Sequence, residues 1–177
     1  VSLRQLALTA IDSALKDAGI TMTGRGPAPE ALFVGNMLAP QLSRQAHLGA
    51  LIADFSGLRG IEAATVEASG ASGGAAFRQA CLAIASGYID SALAVGVEKL
   101  TDTVGPGVSG AASTSTDTDW EGAQGATPTA IAALIMRRYM HETGATLPDF
   151  AGFSVNAHAN AKTNPNALAS VQKDSLF

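Results

Sequence analysis

The chain alternates between two hydrophobic patterns. Across residues 2–18, Leu3, Leu6, Ala7, Ala10, Ile11, Ala14, Leu15 and Ala18 recur at the three- and four-residue spacing of one helical face. Ser2 offers a capping hydroxyl and Gly19 a stop, so an amphipathic helix is predicted there. Residues 21–30 carry two Gly and two Pro and read as loop. The run Ala31-Leu32-Phe33-Val34-Gly35 is short and wholly apolar, as a strand buried on both faces should be. A helix from about Arg44 to Asp54 is expected next, stopped near Gly57 and Gly60, and then a second buried strand, Ala63-Ala64-Thr65-Val66. An Ala-rich helix over residues 72–86 ends at Gly87, and Ser91 to Val97 reads as a third buried strand. Such alternation predicts an α/β fold with a mostly parallel sheet between helices. Ligands of these folds bind at the turns that leave the carboxyl ends of the strands.

From Thr101 to Thr129 the pattern lapses into Gly, Ser, Thr, Asp and Pro, which reads as one long loop, functional or disordered. Trp120 within it suggests that the loop packs over something. Helical periodicity returns over Ala130–His141, with Gly144 as its stop, and again from about Pro148 to Lys162. The tail from Asn164-Pro165 onward carries no clear signal.

Composition narrows the function classes. Apolar residues make up 47% of the 177 and charged ones 15%, which excludes a disordered polar chain. A net charge of -4 without a block of Lys or Arg leaves no footprint for nucleic acid. The single cysteine permits no internal disulfide and fits a reducing, cytoplasmic setting. No apolar run reaches the roughly 18–20 residues of a membrane span, and the start reads as an amphipathic helix in place of a secretory leader.

The segment that carries chemistry is Thr65-Val66-Glu67-Ala68-Ser69-Gly70-Ala71-Ser72-Gly73-Gly74-Ala75-Ala76. It leaves a buried strand, passes a turn of small residues and enters a helix. A side chain at that turn lies by free backbone N–H groups and the positive end of the helix dipole, where a thiolate would be favoured. The same residues also serve plain close packing of helix on sheet, and periodicity does not separate the two readings. Cys81 lies nine residues beyond Ser72, about 14 Å along the helix at ~1.5 Å per residue, and is expected to be a small core residue. His47 is expected inside an apolar helix, His141 at a helix end and His158 on a polar helix, with no spacing that suggests a shared metal site. Glu98 and Lys99 leave a strand and either line the cleft or form a solvated pair, the latter being the simpler reading.

Val66-Glu67-Ala68-Ser69-Gly70-Ala71-Ser72-Gly73-Gly74-Ala75-Ala76 resembles the V-E-A-A-C-A-S-G-G-A-A pattern of the thiolase family, in which Cys accepts the acyl group. Further segments resemble that family. They are Gly35-Asn36-Met37-Leu38, Gln45 through Ala53, Ala83-Ile84-Ala85-Ser86-Gly87 and Val95-Gly96-Val97-Glu98-Lys99-Leu100-Thr101-Asp102. Ala133 through His141 and Asn164-Pro165 resemble the sterol-carrier-protein-type and archaeal-type branch. The resemblance implies that residues 1–177 are an amino-terminal thiolase domain, one half of a five-layered architecture, with residues 101–129 as its loop region over the active site. The carboxy-terminal domain, with an activating His and a second Cys, lies outside these residues.

It also implies the chemistry of an acetyl-CoA acetyltransferase or 3-ketoacyl-CoA thiolase, with coenzyme A thioesters as substrates, no redox or metal cofactor, and a homodimer paired around strand 63–67. One departure stands at the centre of the pattern. Gly70 occupies the position of the nucleophilic Cys and can form no thioester. Ser69 is the nearest substitute, but alternation along the strand would point it to the other face. Two rival readings follow. One is a Cys-less relative that stabilises an enolate as a decarboxylase or aldolase. The other is a non-catalytic subunit that binds acyl-CoA or scaffolds a true thiolase.

Overall fold

The computed structural model describes residues 1–20, 28–165 and 167. Residues 1–127 and 128–177 form two separate compact units.

In the first unit, the run at 31–35 forms strand β1 (Ala31–Gly35), and all five of its residues are buried. It lies between β2 (Glu62–Val66) and β3 (Ala92–Gly96), and all three strands are parallel. Alternation along β1 feeds two separate cores. Leu32 and Val34 pack with Leu3, Ala7, Ile11 and Leu15 of helix α1 (Leu3–Asp17). Leu48 and Ile52 of helix α3 (Leu48–Phe55) complete that side. On the other face, Ala31 and Phe33 meet Ala76 and Ala80 of helix α4 (Ser72–Ala85). The predicted α/β layering is therefore realised, with helices on both faces of a parallel sheet.

The helix starts and stops at α1 and α4 follow the sequence signals. The Ser2 hydroxyl accepts the Gln5 N–H at 3.2 Å, and Gly19 and Gly87 take positive φ of 70° and 74° after the two helices. The buried stripe of α1 is narrower than expected, because Leu6, Ala10, Ala14 and Ala18 face outward.

Other expectations are corrected. β2 and β3 are half-buried, with Glu62 and Thr65 exposed, because each is an edge of the described sheet with one strand neighbour. The helix expected from Arg44 begins at Leu48. Before it, Pro40 sits in the first turn of a short helix, α2 (Ala39–Leu42), and Arg44 and His47 turn into the left-handed region with φ of 50° and 58°. His47 therefore precedes α3 instead of lying within it. Its side chain does not cap the helix; the Thr65 hydroxyl of β2 accepts the Gly49 N–H at 2.8 Å in its place. Cys81 is exposed, not core, since the two buried alanines of α4, Ala76 and Ala80, turn the adjoining face to the sheet.

The segment 101–129 is not structureless. Residues Gly105–Ala112 form helix α5, with Pro106 in its first turn, and short 3-10 turns follow at Ser113–Ser115 and Gly122–Gln124. Ser113, Thr114 and Ser115 donate their hydroxyls back to the carbonyls of Ser109, Ala111 and Ala112, competing with continued helix. Trp120, expected to pack, is 80% exposed.

In the second unit, helix α6 (Pro128–Thr143) is followed by a 3-10 turn at Leu147–Phe150 and helix α7 (Ala151–Ala161). Tyr139 and Phe150 meet edge to face, with ring centroids 6.0 Å apart. Most of the tail, residues 166 and 168–177, lies outside the described residues. Among the described residues, no helix is long and apolar enough to cross a membrane.

Candidate functional site

The site grows from the exit of β2. The strand ends at Val66, a single 3-10 turn covers Ser69–Ala71, and α4 starts at Ser72, so Gly70 stands at the turn as the sequence predicts. Small residues are required for this approach. A Cβ on Gly35 would lie 2.5 Å from the Ser72 carbonyl oxygen and 2.7 Å from the Gly73 nitrogen, and one on Gly96 would lie 3.5 Å from the Gly73 Cα. The first turn of α4 thus rests directly on the carboxyl ends of β1 and β3, where parallel sheets place their ligands.

The turn itself is held by a closed set of bonds. The buried Ser72 hydroxyl accepts the Ala68 N–H at 3.0 Å and donates to the Ser69 carbonyl at 2.7 Å. The Glu67 carboxylate accepts the Ser69 N–H. These contacts sustain a left-handed conformation at Ser69, φ 51°, which costs a non-glycine residue free energy. Gly70 does not have positive φ, and among the described residues no atom beyond Gly70 and its two chain neighbours lies within 4 Å of where its Cβ would stand.

Gly70 and Ser69 line one cavity of about 400 Å³ together with Asn36, Met37, Gly73 and Glu98. A second cavity, about 570 Å³, opens on the other side of Met37 and Ser69 and is edged by Gln41, Glu67, Thr114 and Ser115. The strand has already ended at Val66, so its alternation does not extend to residue 69 and does not set the direction of Ser69.

Asn36 and Glu98 join the site through a network. Asn36 is buried, and its amide donates to the Val97 carbonyl at 2.7 Å and to Glu98 Oε1 at 2.9 Å. Its own oxygen accepts the Ala39 N–H at 3.0 Å. Glu98 Oε2 accepts the N–H groups of Met37 at 3.1 Å and Leu38 at 2.9 Å. Glu98 is thus open to solvent but fully engaged, not one of a solvated pair with Lys99, whose ammonium bonds Asp102 instead. Sequence reading missed the role of Asn36. The signal was an amide placed straight after a wholly apolar strand, since a buried amide must find partners.

The histidines are placed differently. His47 borders a smaller cavity, about 130 Å³, that is also edged by Asn36, Met37 and Glu67 of the site and by Thr65 and Gln45. His141 and His158 belong to the second unit, where the His158 ring nitrogen Nδ1 lies 2.8 Å from the Ser154 carbonyl oxygen. The site therefore combines a helix amino terminus, a turn with open space at residue 70 and two anchored carboxylates, Glu67 and Glu98. The helix amino terminus can support a ligand carbonyl, and within these residues no thiol stands there.

Residues 1–170 match the family model of the thiolase N-terminal domain. The chain is 43% identical over 167 residues to an acetyl-CoA acetyltransferase of Methanothermobacter thermautotrophicus, covering 94% of this chain and 42% of that protein. It is 41% identical over 163 residues to an acetyl-CoA acetyltransferase of Methanocaldococcus jannaschii, covering 92% and 40%. To the benzoylsuccinyl-CoA thiolase subunit BbsB of Thauera aromatica it is 31% identical over 154 residues, covering 81% and 39%. The chain spans about two fifths of the length of these curated relatives.

Proposed function

Given that the chain belongs to the thiolase family, as the amino-terminal half of the fold, we propose that it forms half of an acyl-CoA-binding protein of the acetyl-CoA acetyltransferase type. In this protein, Gly70 holds the place of the acyl-accepting Cys. The observation that carries the reading is the open space at Gly70. That residue sits at the strand-to-helix turn, beside the amino terminus of α4 and in the same cavity as the Asn36–Glu98 network.

In the complete acyltransfer reaction, a thiol at this turn would attack the thioester carbonyl of acyl-CoA and release CoA. A second acyl-CoA, deprotonated at its α-carbon, would then attack the enzyme thioester. Gly70 offers no sulfur for the first step. The acyl-CoA therefore binds without transfer through residue 70, and the helix terminus supplies N–H groups and a positive dipole for its carbonyl oxygen.

The whole molecule is read as a cytoplasmic homodimer acting in lipid metabolism. Half-buried Ala63, Ala64 and Val66 on the β2 edge support a second copy pairing there, since a bare edge strand is a liability. Phe77 and Ile84, 65% and 43% exposed on the outer side of α4, support coverage by the remaining chain.

A second reading is favoured by Gly70 itself together with the relative whose printed name is that of a subunit. The chain then binds acyl-CoA as a non-catalytic partner of a thiolase, or stabilises an enolate for decarboxylation or aldol cleavage. The experiment is to incubate full-length protein and its Gly70→Cys variant with radiolabelled acetyl-CoA and count acetyl retained after denaturation. Labelling only of the variant is expected. Labelling of the unaltered protein would refute the vacant position, and labelling of neither would favour the non-catalytic reading.

A further inference from the structure

Three cavities meet beyond the carboxyl end of β1, and Met37 is the one residue that lines all of them. The first contains the open space at Gly70, which borders neither of the others. The second carries the polar side chains of Gln41, Glu67, Thr114 and Ser115. The third, about 130 Å³, is walled chiefly by carbon, with Pro40, Ala46 and Leu48 among its residues. Polar groups at its edge are engaged elsewhere. The Asn36 amide bonds Val97 and Glu98, the Thr65 hydroxyl accepts the Gly49 N–H, and the Gln45 amide donates to the Ala46 carbonyl at 2.6 Å. Met37 is half-buried, and Glu98 Oε2 holds its N–H at 3.1 Å, so its side chain is rooted at a fixed point of the junction. The other residues that the Gly70 cavity shares with a neighbour, Asn36 and Ser69, have shorter side chains.

We propose that Met37 determines specificity for acyl-chain length. Its side chain is the partition that confines the acyl group to the cavity over Gly70 and closes off the small apolar cavity behind. This rests on the acyl-CoA reading above and deepens it, naming short acyl chains as the class accepted. A chain that outgrows the first cavity has two ways on, both past Met37. The second cavity would set its methylenes against Gln41 and Thr114 and strip those groups of water. The third offers apolar wall whose polar neighbours already have partners, so it is the space a longer chain would fill. A thioether side chain suits such a wall, being apolar, unbranched and able to close an irregular gap. No bond is made or broken in this selection.

The test measures binding of acetyl-, butyryl- and hexanoyl-CoA to the full-length protein by isothermal titration calorimetry, for the unaltered protein, Met37→Ala and Met37→Phe. In the unaltered protein affinity should not rise from acetyl- to hexanoyl-CoA. In Met37→Ala, hexanoyl-CoA should gain on acetyl-CoA by about tenfold or more, since each methylene received by apolar space is worth about fourfold. Met37→Phe should move the ratio the other way, against butyryl- and hexanoyl-CoA, and reads the partition even where the Ala variant does not fold. If the ratio of hexanoyl- to acetyl-CoA affinity is the same in all the folded proteins, the Met37 inference is overturned while the acyl-CoA reading stands. A preference of the unaltered protein for hexanoyl-CoA would overturn it likewise. If the unaltered protein binds none of the three ligands, the acyl-CoA reading fails and this inference with it.

Discussion

Asn36 and Glu98 stand 62 positions apart, yet the amide of one donates to the carboxylate of the other at 2.9 Å. That bond ties the exit of β1 to the exit of β3 and fixes the segment 36–38 that walls the cavity. The carboxylate is the common acceptor for three donors, two of them backbone.

Glu98→Ala should therefore lower stability by about 1–2 kcal/mol, the cost of orphaned donors that partly recover water. Denaturant titration gives the loss. Hydrogen exchange at the Met37 and Leu38 amides should accelerate at the same time. Glu98→Gln should lose less, because one carbonyl oxygen remains to accept. Unchanged exchange at both amides in Glu98→Ala would show that the carboxylate holds nothing.

Two glycines of the same site should respond oppositely to a methyl group. Gly35→Ala places Cβ 2.5 Å from the Ser72 carbonyl oxygen and must push α4 off the sheet, costing about 1–3 kcal/mol by overpacking. Gly70→Ala meets nothing within 4 Å and asks for no left-handed backbone, so it should be neutral or stabilise by up to about 1 kcal/mol. Thermal melts of the pair decide it. A destabilised Gly70→Ala would mean that the space is not open.

Thr65→Val should leave the Gly49 N–H of α3 without its 2.8 Å acceptor. The expected loss is about 1 kcal/mol, as for a missing helix cap, with Thr65→Ser retaining most of the stability. Equal melting of the Val and Ser variants would reject a capping role.

Asp149 titrates under the direct influence of Thr146. The Thr146 backbone N–H and hydroxyl both donate to its Oδ2, at 2.7 and 2.9 Å, and hold its pKa below the ordinary carboxylate value. Because the folded value is the lower one, the contribution to stability is present above the unfolded pKa. It is lost as pH falls through the folded pKa. A carboxyl NMR titration should place the Asp149 midpoint below 3.8, and Asp149→Asn should abolish that acid-side dependence. A midpoint at or above 3.8 in the folded protein would contradict the bonding.

What the sequence revealed, and what it hid, divides by the range of the interactions. β1 was legible because its apolar run is short and follows a Gly- and Pro-rich stretch, and the turn at Gly70 because the change of pattern falls within a few residues. The start of α3 was not, since Arg44 and His47 take left-handed backbone that no local pattern announces and the Gly49 N–H is met by a hydroxyl 16 positions downstream. The inward face of α4 was obscured because Phe77, Leu82 and Ile84 are apolar yet exposed, so only Arg78 and Gln79 marked the outside after the first turns and Cys81 read as core. The engagement of Glu98 rests on partners 60 to 62 positions away, beyond any local pattern.

The left-handed kink of the turn belongs to Ser69, and the unobstructed position beside it belongs to Gly70. The kink and the room for a side chain are thus carried by different residues. A Cβ at position 70 meets no described atom beyond its own neighbours and asks for no left-handed backbone, so the described fold sets no steric bar to a thiol, hydroxyl or carboxylate installed there by single substitution.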